Sequence, residues 1–241
     1  IPVALGLIPP AKQDDFATGV MTGLVTVPVG AVVGGLAMGI SLPALLLNTI
    51  PVVFLSGLVI AGFLLLKNRV VRGFMAFARF LRVITILSLG LAAFTYITHI
   101  PLVPGLDPIE EALAVVTDMC VVQLGSIPLA YLLIYLLKRP LSAVGSRMHI
   151  SDVAVAAIPI SCVNVMSVFM LVKDMDRRGI VVSAAWYTHA ICIITAHYAY
   201  TQSVDPQMVG PMMAAKMTGG ILAVVLACMM TKNYKLEKED Q

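Results

Sequence analysis

Charge is what this sequence has least of. Its 241 residues hold 16 Lys and Arg and 13 Asp and Glu, or 12% charged, where soluble domains carry roughly 25%. With 59% of the chain hydrophobic, that shortage excludes a soluble globular domain. Cysteine is scarce too. Cys120, Cys162, Cys192 and Cys228 all stand in apolar runs without CxxC or metal-ligand spacing. They read as small buried hydrophobes and indicate neither a metal nor a redox compartment. HExxH, GxSxG and the P-loop lysine motif are missing, so no enzyme activity, cofactor or metal is expected. The basic residues hug apolar spans, which removes the footprint of a nucleic-acid partner. The opening residues lack the basic start and cleavage site of a signal peptide. "IPVALGLIP" reads instead as the tail of an earlier apolar segment, and an N-terminal part is expected to be missing.

What fills the chain is apolar runs of bilayer length, about 20 residues each. They cover 16–40, 42–66, 83–100, 112–137, 153–172, 180–200 and 208–231. The expected fold is therefore all-α: a polytopic integral membrane protein of about six to seven transmembrane segments, re-entrant or broken helices among the options for them. Residues 1–231 form one transmembrane domain, and 232–241 a polar tail expected to be disordered.

Basic loops stay on the cytoplasmic side. "KNRVVRGFMAFARFLR" (67–82) and residues 138–151, which open with "KRPLSAVGSRMH", are expected inside, and "PLVPGLDPIEE" (101–111) outside. "KDMDRRG" (173–179) also leans inward. Both flanks of 153–172 then lie on one side, yet about 20 residues cannot cross twice as helix. The segment carries Pro159, Ser161, Cys162, Asn164 and Ser167. Two readings stay open: a re-entrant hairpin of two half-helices, or one span kinked at Pro159. Broken backbone at membrane depth survives only where protein buries it or a cavity solvates it, and in transporters such breaks form the substrate site. Thr26-Val27-Pro28 is a second candidate break.

Other polar residues add candidates. At 100° per residue, Trp186, His189, Ile193, His197 and Tyr200 share one helical face within about 80°. That stripe either faces a cavity, where rings bind a small cation and histidine relays a proton, or mixes interface-belt aromatics with packed histidines. Asp118 lies several residues into its span or at the interface, depending on where the span begins, and intramembrane carboxylates are usually functional. Lys216 either snorkels or pairs with an acid such as Asp118. Gly19/Gly23, Gly30/Gly34 and Gly35/Gly39, with the ridge Ala215, Gly219, Ala223 and Ala227, let helices approach closely.

"IPVALGLIPP", "GVMTGLVTVPVGAVVGGL", "LVPGLDPI", "KRPLSAVG", "KDMDRRG" and "PMMAAKMTGG" resemble, in order, the EutH-type ethanolamine utilisation permease family, from Ile1 to about Gly220. The resemblance implies a multi-pass transporter of the bacterial inner membrane that takes up ethanolamine, and a chain that is the C-terminal part of a longer protein. Asn164, His197, Lys216 and Gly219-Gly220 match family positions. The family's acidic residue before the histidine is Ala196 here, its asparagine pair and proline are reduced to "CVNVMS", and Asp118 is no family feature. The expected substrate-binding residues are Asn164, Ser161, Trp186 and His197, with Asp118 as charge partner. The partners considered are ethanolamine or a similar small amine, the lipid bilayer and further copies of the chain in a homo-oligomer. A non-transporting membrane sensor or assembly module, or a transporter of another small molecule, is the alternative.

Overall fold

The computed structural model describes residues 8–100, 102–103, 105 and 108–234, so the opening residues and most of the expected polar tail lie outside it. Helix is the regular structure of the described residues, as a backbone in lipid requires, because every N–H and C=O must find its partner inside the protein. In chain order the helices are α1 Gln13–Ala37, α2 Leu42–Thr98, α3 Ile109–Met148, α4 Asp152–Ser161, α5 Val165–Leu171, α6 Arg177–Ala190, α7 Ala196–Val204 and α8 Val209–Met230. Among the described residues, four stretches are long and apolar enough to cross a membrane: Pro10–Ala37, Leu42–Gly62, Arg79–Thr98 and Pro206–Met230.

Three sequence expectations change here. The basic stretch 67–82 is helix, not loop, and joins two spans inside α2 past one non-helical residue, Leu66 (φ −134°, ψ 32°). Lys and Arg are good helix formers, and the stretch has no proline to stop it. The basic stretch after span four is likewise helical as far as Met148. At Thr26-Val27-Pro28, α1 runs straight through Pro28. Proline removes one i→i−4 bond, but the packing of α1 on both sides holds the helix.

That packing is made of small residues. A Cβ on Gly19 would collide with the Val181 carbonyl oxygen of α6, and one on Gly30 would stand 2.7 Å from the Ala215 carbonyl oxygen of α8. Gly219 lies against His189 and Gly220 against Trp186, while Ala223 and Ala227 are fully buried. Helices α1, α6 and α8 thus form a close triad along the expected glycine and alanine ridges, with backbones brought together by the absence of side chains.

The segment 152–175 folds as a helical hairpin. The backbone N–H of Ser151, before α4, donates to Asp176 Oδ1 at 2.7 Å, and the N–H of Asp176, before α6, donates to Ser151 Oγ at 3.4 Å. Start and finish of the hairpin are therefore bonded to each other at one end of the molecule. Each residue is also a helix N-cap: Ser151 accepts from Ala154 N–H and Asp176 from Gly179 N–H, which satisfies donors that a helix start leaves open. The same end gathers α1 and α8. Asp15 takes a two-point bond from Arg177 at 3.0 and 3.1 Å, Lys12 Nζ donates to the carbonyls of Lys173 and Met175, and Arg177 stacks 5.2 Å over Tyr234.

Candidate functional site

A hairpin buried in a helical bundle must satisfy the polar groups of its turn. Bonds from Cys162 N–H to Pro159 O, and from Val163 and Asn164 N–H to Ile160 O, close the tip of α4–α5. The carbonyls of Ser161, Cys162 and Val163 are left pointing outward, and a second break supplies their donors. Between α6 and α7 the helix unwinds over 191–195. There Cys192 N–H donates to Ser161 O at 2.7 Å, Ile194 N–H to Cys162 O at 3.1 Å and Thr195 Oγ1 to Val163 O at 2.8 Å. Two unwound segments are stitched to each other, so the backbone groups that each break opens are satisfied by the other. Cys192 holds a left-handed φ of 52° to aim its N–H at the tip, a conformation few non-glycine residues adopt.

The break divides the expected aromatic–histidine stripe. Trp186 and His189 lie on α6, Ile193 in the break, and His197 and Tyr200 on α7, with Tyr200 exposed. Nothing in 180–200 announces a break by proline or glycine. The one local signal is the β-branched run Ile191, Ile193, Ile194 and Thr195, which weakens helix. Sequence reasoning therefore missed Cys192 and Thr195.

Of the expected site residues, the structure brings Ser161 and Trp186 together. Ser161 is fully buried; its hydroxyl donates to Ile158 O at 2.5 Å and accepts from Trp186 Nε1 at 3.0 Å. Asn164 is at the hairpin tip, exposed. His197 begins the helix beyond the second break. Its Nδ1 is buried beside the Ile191 carbonyl without forming a hydrogen bond of proper geometry. Asp118 is not drawn into this group. It is exposed on α3 and accepts from Ser203 Oγ at 2.8 Å, six residues past His197, or about 9 Å of helix rise.

Behind the crossing lies a buried polar core on α1, α6 and α8. His189 Nε2 shares one proton's worth of bonding with Thr26 Oγ1 at 2.8 Å and Gly23 O at 3.0 Å, and Thr26 lies 3.1 Å from Gly219 O. Lys216 is half-buried near the middle of the span Pro206–Met230. It neither snorkels to an end nor pairs with Asp118, and its Nζ donates to the His189 carbonyl at 2.9 Å. Two clefts bordered by described residues lie elsewhere, against α2. One, of about 520 Å³, is lined by residues that include Pro28, Thr49 and Phe54. The other, of about 420 Å³, is lined by residues that include Gly34, Asn48 and Pro211.

A helical hairpin whose tip meets a broken helix, with a lysine and two histidines beside the crossing, sits within a helical membrane protein with four helices long and apolar enough to span, among the described residues. A model of the family described as ethanolamine utilisation protein, EutH, matches residues 1–230, and the chain belongs to that family. It is 29% identical, over 99% of its length and 65% of the relative's, to the probable ethanolamine permease EutH of Listeria monocytogenes serotype 1/2a (strain 10403S). It is 30% identical to the protein of the same name from Escherichia coli (strain K12), over 95% of this chain and 62% of that one. The chain thus spans a little under two thirds of the length of these curated relatives. No solved structure matches it significantly.

Proposed function

We infer that this chain forms part of a permease that takes up ethanolamine or a similar small amine across a bacterial inner membrane. The observation that carries the reading is the mutual stitching of two unwound segments, Ser161–Val163 with Cys192–Thr195, inside the membrane-embedded bundle. Transporters place substrates at such breaks because a half-helix ends in carbonyls with no intrahelical partner, and these receive cations. A protonated amine offers N–H donors and one charge, so it needs carbonyls, a ring face and exclusion of water. The exposed Asn164 and the Trp186 ring are the groups that meet that requirement first, and the Ser161 hydroxyl and tip carbonyls join them only where a substrate displaces their present partners; a ring face is worth about 0.5–2 kcal/mol to a cation. His197 stands where a proton or the substrate hydroxyl would be handed on. Asp118, held by Ser203, draws the cation on its approach. The relatives' name, probable ethanolamine permease EutH, supports the substrate.

The test is labelled-ethanolamine uptake by the full-length parent in proteoliposomes, at several external pH values. Saturable uptake above protein-free vesicles is expected, reduced at least about tenfold (about 1.4 kcal/mol) in Asn164→Ala and His197→Ala. Its share of total uptake should grow as external pH falls, because the free base that leaks through lipid then becomes scarce. Uptake no greater than in empty vesicles overturns the reading in favour of a sensor or assembly module.

A further inference from the structure

Lys216 is a tethered primary ammonium at mid-span. A lysine at this depth is costly and usually functional, and the structure shows what receives it. Its Nζ donates at 2.9 Å to the carbonyl of His189, in the last turn of α6, which ends at Ala190. The last carbonyls of a helix have no intrahelical partner and carry the negative end of its dipole. Lys216 therefore occupies the kind of acceptor that a broken helix offers to a cation. The two carbonyls nearest the hairpin tip, by contrast, are already taken by backbone N–H groups. No carboxylate among the described residues forms an ion pair with Lys216. The titratable groups facing it are His189 on α6, Cys192 in the break and His197 on α7. The charged residues of α1, Asp14 and Asp15, sit in its first turn, away from this site. Among the described residues two histidines and no acid face Lys216, so a second positive charge beside its ammonium would be uncompensated and costly.

We propose that Lys216 is the resident cation of the transport site, and that the substrate ammonium enters by exchange with its proton. The proposal rests on the transport reading above. One proton leaves Nζ for the water of the open site as one R–NH3⁺ arrives, so the site keeps a single positive charge. Neutral Lys216 then has a lone pair that accepts from the substrate, and the His189 carbonyl is freed for one of the substrate's N–H groups. When the site opens to the other side and the amine departs, Nζ takes a proton there. Each cycle moves one protonated amine inward and one proton outward, with no net charge crossing the membrane. His197, whose Nδ1 is buried without a bond, is the neighbour through which that proton passes to and from water.

The experiment uses the full-length parent in proteoliposomes, with a potassium gradient and valinomycin setting an inside-negative potential and protein-free vesicles setting the baseline. Saturable ethanolamine uptake by the unaltered protein is expected not to respond to the potential. In Lys216→Met, which keeps the stem and loses the charge, the amine carries its own charge across. A potential of about 100 mV should then raise its accumulation about 50-fold. A merely structural lysine would lower the rate in Met without making it potential-driven. A second measurement needs no variant: ethanolamine added to the purified protein in weak buffer near neutral pH should release about one proton per amine bound. No saturable uptake at all overturns the transport reading and this proposal with it. Saturable uptake that the potential accelerates in the unaltered protein, or binding without proton release, leaves the transporter standing and overturns the exchange.

Discussion

Ser161 and Trp186 show what a single polar residue does inside this bundle. The serine hydroxyl is spent twice, on the Ile158 carbonyl and on the Trp186 indole N–H, and the tryptophan is buried. Ser161→Ala leaves the indole N–H without an acceptor, which costs about 1–3 kcal/mol. Trp186→Phe removes the donor as well, so the double variant should be more stable than the sum of the two single losses implies. Thermal unfolding of the full-length parent in detergent measures the cycle, and strict additivity would mean that the bond contributes nothing. The candidate list was legible at this scale to a limited degree. Ser161 and Trp186 stood out because a polar group and a lone tryptophan are conspicuous in an apolar chain. Thr195 and Cys192 did not, because their role lies in backbone bonds that no side-chain type reveals.

At the scale of elements, the glycine and alanine ridges decide how closely α1, α6 and α8 lie. These ridges were visible in the sequence, since small residues at four-residue spacing have little other purpose in a span. The partners they face were not visible. Gly30 meets the backbone of Ala215, and Gly19 meets that of Val181. Gly30→Ala pushes a methyl against a carbonyl that cannot yield alone, and is expected to cost about 1–3 kcal/mol. Gly57 has open space around the position of its missing Cβ, so Gly57→Ala should be neutral or stabilising, by up to about 1 kcal/mol of helix propensity. Unfolding midpoints of the two variants check the contrast, and an equal loss in both would show that the ridge is not the determinant.

On the scale of the whole molecule, one end acts as a clasp. The hairpin start and finish, the beginning of α1 and the end of α8 are tied by Ser151–Asp176, Asp15–Arg177, Lys12 and Tyr234. Asp15 is only 6% exposed, so its charge depends on Arg177. The arginine side chain is itself 56% exposed, which tempers the stake to about 1–2 kcal/mol. Arg177→Gln should therefore loosen the clasp without unfolding the bundle. Hydrogen–deuterium exchange of the full-length parent should quicken at 150–155 and 172–180 and stay unchanged in the middle of α8. Uniform protection throughout would show that the hairpin is held by its tip alone.

The amino-acid sequence by itself determined the medium and the class. Twelve per cent charge and repeated apolar runs leave a helical membrane protein as the outcome, and ordered strings such as "KDMDRRG" and "PMMAAKMTGG" carry its family. It also marked 153–172 as a place where a span interrupts itself. Only the tertiary structure decided between a kink and a hairpin, because the choice depends on Ser151 meeting Asp176, a bond between residues 25 apart in the chain. It likewise moved the second break from Pro28 to 191–195. Proline 28 stays helical within the triad of α1, α6 and α8, whereas the β-branched run unwinds where the carbonyls of a facing hairpin tip are waiting for its N–H groups. Local propensity sets where a helix can open; the partner that satisfies the opened backbone decides where it does.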